Sequence, residues 1–343
     1  MEQQDALLDR AYGSLVATAI GDAMGMPASF MSPGQIRRVY GEIADFLPPA
    51  GEQTAHRGVQ EGGVTDDTQE SLIVSDVLIE AGRFDIGLFV DKMKQWAISS
   101  NILESTVIGP STRKFLETVL AGGDYREAGK CGDTNGAAMR VAPIGIFYHG
   151  NAKKAVEEAY LSALPSHGSR AGVAAACAIA AAVALAVEGG YTPAEIMDAA
   201  VEGAEAGERL GFEQPAPSVS ARIRLAVELV DRQKGKPVSQ ICESLYAYIG
   251  AGMKSYESVP LALGVFYAAS GKVEEGVKAV VNIGDDADTN GAIVGALCGA
   301  FSGASSIKAD WIAKIEASNR VDFKQIARRL LQRSAASPGD ARR

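Results

Sequence analysis

"NIGDDADTNGAIVGA", residues 282–296, sets Asp285, Asp286 and Asp288 within four positions, just ahead of a run of small apolar residues. That run continues through "LCGA", and Gly291, Gly295 and Gly299 recur at four-residue spacing, which stacks them on one face of a helix. A glycine costs a helix about 1 kcal/mol in propensity, so a stripe of them is expected where another backbone approaches closely. Gly13, Ala17, Gly21 and Gly25 form a second stripe in the first helix. The acids pose a separate problem. An aspartate near a helix N-terminus is stabilised by roughly 0.3–1 kcal/mol, which accounts for one acid or two. Two carboxylates about 4 Å apart repel by about 4 kcal/mol at an effective dielectric near 20, so a partly buried cluster needs protons, basic partners or a cation. No Lys or Arg lies between Lys278 and Lys308. The neutralising charge is expected from elsewhere in the chain or from a bound ion.

Helical spacing of apolar residues extends over nearly the whole sequence, as in "ESLIVSDVLIEAG" (70–82), "IRLAVELVDRQ" (223–233) and "KQIARRLLQR" (324–333), while alternating strand patterns are scarce. The chain reads as all-α. Helices are expected to begin near Gln4, Thr68, Ile86, Ser111, Ala152, Ser169, Pro193, Val219, Ser239, Val259, Val273 and Thr289. "AGVAAACAIAAAVALAVEGG", residues 171–190, is uncharged only from Ala171 to Val187. That is short and weakly apolar against the roughly 20 residues of a membrane span, and a buried central helix is expected instead.

The 343 residues, 47% hydrophobic and 22% charged, suffice for a large core, and nothing in the composition marks a linker. We expect one domain over residues 1–330 and a mobile polar tail over 331–343, where "RSAASPGDARR" ends the chain. The formal charge of −9 argues against a nucleic-acid partner, and a small ligand is expected. Cys131, Cys177, Cys242 and Cys298 are widely spaced without a CxxC pair, so neither a zinc site nor a disulfide framework is indicated. The opening "MEQQDALLDR" lacks a basic start and apolar core, and a cytoplasmic location is expected. "DTNGA" occurs at 133–137 and again at 288–292, but the flanks differ, which reads as local convergence rather than duplication.

A second acid cluster lies in "GGVTDDTQESL", residues 62–72. As a plain helix start, Asp67 would be the N-cap and Glu70 would complete a capping box. That reading leaves Thr65 and Asp66 unexplained, and it is silent on why "DADT" opens another helix. Two Asp-Thr clusters supply hard oxygen donors, which suit Mg²⁺ or Mn²⁺ better than zinc.

"GDAMG" (21–25), "TDDTQ" (65–69), "NGAAMRVAPIG" (135–145), "SHGSRAG" (166–172), "YESVPLALG" (256–264) and "GDDADTNGAIVGALCGA" (284–300) occur in this order. The ordered set, over about residues 10–303, resembles the ADP-ribosylglycohydrolase family, which includes the dinitrogenase reductase-activating glycohydrolases. The resemblance implies a compact, single-domain, orthogonal helical bundle around a central binuclear metal site of two Mg²⁺ (or Mn²⁺) ions. Thr65, Asp66, Asp67, Asp286, Asp288 and Thr289 are the implied ligands, and two divalent ions would balance the four carboxylates. Asp285 stands where some members have glycine. The resemblance further implies that Asn135, Gly136 and Ala137 wall a ribose, with Asp133 and His167 as substrate contacts and Tyr256 and Ser258 on the leaving-group side. Some members carry a glutamate on a mobile loop ahead of the TDD motif. Glu42, Glu52 and Glu61 all lie in that region, around "FLPPAGEQTAHRGVQEGG" (46–63).

The expected activity is hydrolysis of a ribosyl C1 bond in an ADP-ribosylated protein side chain or small acceptor, with Asp67 or its neighbour Asp66 taking a proton from water. Alternatives are an N-ribosyl hydrolase of nucleosides or related small ribosides, and an inactive relative that senses a metal or ligand. A purely structural helical protein would leave the acids uncompensated.

Overall fold

A computed structural model describes residues 2–53, 55–105 and 107–336. Among them are eighteen α-helices and three short 3-10 turns, with only two isolated β-bridges and no strand. The all-α reading stands. All but one of the expected helix starts fall within two residues of the observed ones. The exception is Val259, whose helix begins at Ser255 and runs to Ala268. Pro260 lies inside that helix and has no amide for the Tyr256 carbonyl, which accepts from Arg222 Nη1 at 2.9 Å instead. Helices Pro33–Val39, Tyr125–Gly129, Gly136–Met139 and Ala142–Phe147 are too short for a periodic pattern to show them. The last helix, Phe323–Ala335, runs five residues into the segment expected as tail; residues 337–343 lie outside the described residues.

The two glycine stripes face each other. Helices Glu2–Gly25 and Ala287–Ser302 run antiparallel, with Gly13 against Gly299, Ala17 against Gly295, Gly21 against Gly291 and Gly25 against Ala287. A Cβ built on Gly295 would stand 2.0 Å from the Ala17 carbonyl oxygen, and one on Gly21 would stand 1.9 Å from that of Gly291. Only residues without a side chain permit such contact. The pairing brings the C-terminal end of the first helix beside the N-terminal end of the second, and so lays Asp22 next to the acids that opened the sequence reading.

Helix Arg170–Glu188 has the length and composition of a membrane span, but 89% of its apolar window is buried inside the protein. It packs against Ala152–His167, Pro193–Leu210 and Ala287–Ser302 as the central helix of the core. Ser169 caps its start by accepting from Gly172 N at 3.1 Å, and Gly189, at φ 80°, ends it. The four cysteines are free thiols, with Cys131 exposed and the other three buried.

Candidate functional site

Helix Asp66–Ala81 does not start with the capping box that a plain helix start would give it. Its N-cap is Thr65, and the carboxylate of Asp22 reaches across from the first helix to meet its opening turn. Asp22 accepts from Thr65 N at 3.0 Å, Thr65 Oγ1 at 2.9 Å, Thr68 N at 3.2 Å and the Thr68 hydroxyl. Glu70 turns the other way and pairs with Arg140 Nη1 at 2.6 Å, both side chains fully buried. Because Thr65 and Asp22 satisfy the amides that a helix start leaves open, Asp66 and Asp67 are free to face a cavity. Both are nevertheless buried.

The second cluster is held as firmly. Asp286 is the N-cap of Ala287–Ser302, but its side chain makes no capping bond and accepts from Asn135 Nδ2 at 2.6 Å. Ser258 Oγ accepts from Asn135 Nδ2 at 2.9 Å and donates to Asn290 Oδ1 at 2.7 Å. The asparagines of the two "DTNGA" segments thus meet through one serine. Thr289 Oγ1 lies 3.4 Å from Asp67 Oδ2, which joins the two clusters.

The electrostatics follow from burial without matching charge. Burial first, and then the neighbouring carboxylates, push Asp66 and Asp67 well above the ordinary range. Burial and Asp288 raise Asp286 to about 8, and burial raises Asp22 to about 6 despite its bonds to Thr68 and Thr65. Asp288 is the exception. Burial works to raise it, but His56, with Nε2 2.8 Å from Asp288 Oδ2, helps to hold it below the usual range. Burial likewise works to lower His56, and Asp288, Asp22 and Asp286 outweigh it. Part of the missing positive charge therefore comes from a histidine in the stretch 46–63.

One neutral histidine lines the cavity. Arg140 Nη2 donates to Ser166 Oγ at 2.8 Å, which leaves the Ser166 proton for His167 Nδ1, 2.8 Å away. The neutral ring then carries its own proton on Nε2, directed at Thr134 Oγ1 at 3.1 Å, and Thr134 donates onward to Ser111 Oγ at 2.9 Å. Burial, and then Arg140, hold the His167 pKa well below its ordinary value. Gly136 allows this approach, since a Cβ there would fall 2.7 Å from the imidazole. His167 is therefore a hydrogen-bond donor to Thr134 on the cavity wall and not a base.

Asp66, Asp67, Asp286, Asp288, Thr289, Asn135, Gly136 and His167 line one cavity, together with Phe30, Val107, Gly109, Thr112, Thr134, Met139 and Met253. The other anticipated residues fall outside that lining. Thr65 is buried behind it, bonded to Asp22 and Asp67, and Ala137 is buried in the core. Asp133 is taken up by Lys254 Nζ at 2.7 Å. Tyr256 lies under the Arg222 guanidinium, and both the proton and the acceptor capacity of Ser258 are spent on asparagines. Glu42, Glu52 and Glu61 are exposed, Glu61 in an ion pair with Lys314 at 2.7 Å. The sequence reading missed His56, Asp22 and Phe30. "GDAMG" was the available signal for Asp22, whereas a lone histidine in an irregular stretch gives none.

Among the described residues, no three His, Cys, Asp or Glu side chains are grouped closely enough to hold an ion as they stand. The donor chemistry still fits a divalent cation. Asp67 Oδ1 and Asp288 Oδ1 are buried without a partner, an arrangement that costs at least 1–3 kcal/mol per atom unless something positive meets it. The available donors are hard oxygens.

Comparisons with known proteins identify relatives of this chain. Protein YegU of Escherichia coli (strain K12), which is uncharacterized, is 32% identical over 93% of this chain and 95% of its own length. The ADP-ribosylarginine hydrolase Tri1 of Pseudomonas putida (strain GB-1) is 26% identical over 95% of this chain and 79% of its own. A solved ADP-ribosylglycohydrolase-related protein complex shares the fold, with a TM-score of 0.71 and 24% identity, covering 96% of this chain and 99% of that one. The family model for ADP-ribosylglycohydrolase matches residues 3–339. With both acid clusters inside that match and on one cavity, the chain belongs to the ADP-ribosylglycohydrolase family.

Proposed function

We propose that this chain hydrolyses the ribosyl C1 bond of an ADP-ribosylated side chain, with ADP-ribosylarginine as the first substrate to test, and that it depends on divalent cations, two Mg²⁺ or Mn²⁺ ions. The observation that carries the reading is the meeting of Asp66 and Asp67 with Asp286, Asp288 and Thr289 on one cavity that His167 and Asn135 also line. The Pseudomonas putida relative, named for ADP-ribosylarginine, supports the choice of substrate.

The carboxylates and Thr289 are the residues that would hold the cations, with Thr65 bonded behind Asp67. Cations bound there supply charge to anchor ribose hydroxyls and to lower the pKa of an attacking water. Asp67 accepts the proton as the water attacks C1, and Asp66 is its alternate. Positive charge develops on the sugar as the bond to the leaving group breaks. His167 Nε2–H fixes the Thr134 hydroxyl on the cavity wall, and Gly136 leaves room for the ribose there.

A second reading, hydrolysis of a nucleoside or small N-riboside, is favoured by one feature: among the described residues no Lys or Arg lines the cavity to meet a diphosphate. Assaying the purified protein with Mg²⁺ or Mn²⁺ against ADP-ribosylarginine, ADP-ribosylserine and a nucleoside panel decides between them. Release of ADP-ribose supports the proposal. Turnover of nucleosides alone, or of nothing in the panel, contradicts it.

A further inference from the structure

His56, which is not among the residues lining the cavity, reaches Asp288 from a segment that is tied down on both sides. Asn282 pairs with Ile43 through its N–H and C=O, each at 2.9 Å, and Asn319 does the same work at Gly62 and Val64, at 2.9 and 3.2 Å. Between these anchors Gln53 Nε2 donates to the Met26 carbonyl at 2.9 Å, and Gln53 Oε1 accepts from His56 N at 3.0 Å. The imidazole is thereby held inside the protein at 1% exposure. Neither ring nitrogen makes an aligned hydrogen bond, although Nε2 stands 2.8 Å from Asp288 Oδ2. The other Asp288 oxygen is buried and unpartnered as well. Without a cation the two form an ion pair that is not aligned as a hydrogen bond; once the imidazole gives up its proton, Nε2 and Oδ2 are two donors side by side.

The spacing also suits two ligands of one cation. Two donors in adjacent positions on an octahedral divalent ion, each about 2.1 Å from it, stand about 3 Å apart. The His56–Asp288 separation is close to this. We propose that His56 is a nitrogen ligand, alongside Asp288, of the cation at this site, and that it tilts the centre toward a first-row transition ion of the Mn²⁺ kind over Mg²⁺. Mg²⁺ takes oxygen donors almost exclusively, whereas imidazole strengthens binding along the transition series. The inference rests on the cation-dependent reading above.

The test uses metal-free full-length protein, Mn²⁺ alone and Mg²⁺ alone, titrated by calorimetry, with pulsed electron paramagnetic resonance on the Mn²⁺ form. Wild-type protein is expected to bind Mn²⁺ at least tenfold more tightly than Mg²⁺ and to show ¹⁴N modulation from a coordinated imidazole. His56→Gln is expected to lose that modulation and to weaken Mn²⁺ binding 10- to 100-fold, while changing Mg²⁺ binding less than about threefold. Equal or tighter Mn²⁺ binding by the variant would make His56 a competitor for the site and overturn the proposal. So would a wild-type spectrum without ¹⁴N modulation, a result that holds even if the variant fails to fold. Wild-type protein that binds neither ion removes the cation-dependent reading itself, whereas binding without a nitrogen signal removes only the role of His56.

Discussion

Thr289 Oγ1 lies 3.4 Å from Asp67 Oδ2, and the two residues are 222 positions apart in the chain. At that length the contact is weak as a hydrogen bond, and its meaning is positional: the starts of two helices converge on one point. Asp67→Asn and Asp286→Asn should therefore disable a single centre. Each is expected to lower kcat by roughly 10²–10⁴-fold, and the double variant to fall little below the worse single. Steady-state rates for the four proteins check this. Losses that multiply would mean two independent roles.

Stability of the metal-free protein should fall as pH rises. Asp286 and Asp22 hold their protons up to about 8 and about 6 when folded, while the same groups unfolded ionise near 4. The native state therefore binds more protons between those limits, and stability drops across about pH 4–8. His56, raised by its carboxylate neighbours, adds to the same trend. Asp286→Asn should flatten the upper part of this slope. A saturating cation should add about 2.7 kcal/mol at a hundredfold excess over Kd. Urea melts at pH 5, 6.5 and 8, with and without Mn²⁺, measure both effects. A metal-free protein that gains stability toward pH 8 is the contrary outcome.

Gly295→Ala puts a methyl group 2.0 Å from the Ala17 carbonyl oxygen. Backbone cannot yield as a flexible side chain does, so a loss of about 1–3 kcal/mol or more is expected. Gly34→Ala, in helix Pro33–Val39 and with nothing nearer than Ser32 Oγ at 4.0 Å, should instead gain about 0.4–1 kcal/mol. Denaturant midpoints of the two variants against wild type check the pair.

His167 should remain neutral with its proton on Nε2, because Arg140 and Ser166 fix the direction of its hydrogen bonds. Nitrogen-15 spectra of the histidine rings across pH 5–8 should show one ring that does not titrate and is protonated at Nε2. A His167 resonance that moves through this range, or a proton on Nδ1, contradicts the derived chain of donors.

Most of the fold was legible because helical periodicity and small-residue stripes are local signals that survive in one dimension. The stripes at Gly13–Gly25 and Gly291–Gly299 announced close approach; that they approach each other is a tertiary fact. At the site, the two Asp-Thr clusters were visible as acids without partners. Asp67 was open to reading as a cap because a capping box and a ligand motif share residue types, and only the Asp22 carboxylate, brought in from another helix, separates them. Ser258 and Asp133 were plausible contacts by position, yet Asn135, Asn290 and Lys254 engage them. His56 was invisible for a physical reason: its place is set by Gln53, Asn282 and Asn319, none of which a local pattern connects to it.

The central claim is that the two acid clusters form one cation-holding centre. Anomalous scattering from crystals of the protein soaked in Mn²⁺ tests it most directly. The account predicts density for two ions at the roughly 3.5–4 Å separation of binuclear sites, flanked by Asp66 and Asp67 on one side and Asp286 and Asp288 on the other. Ions bound away from both clusters, or at one cluster without the other, would contradict it.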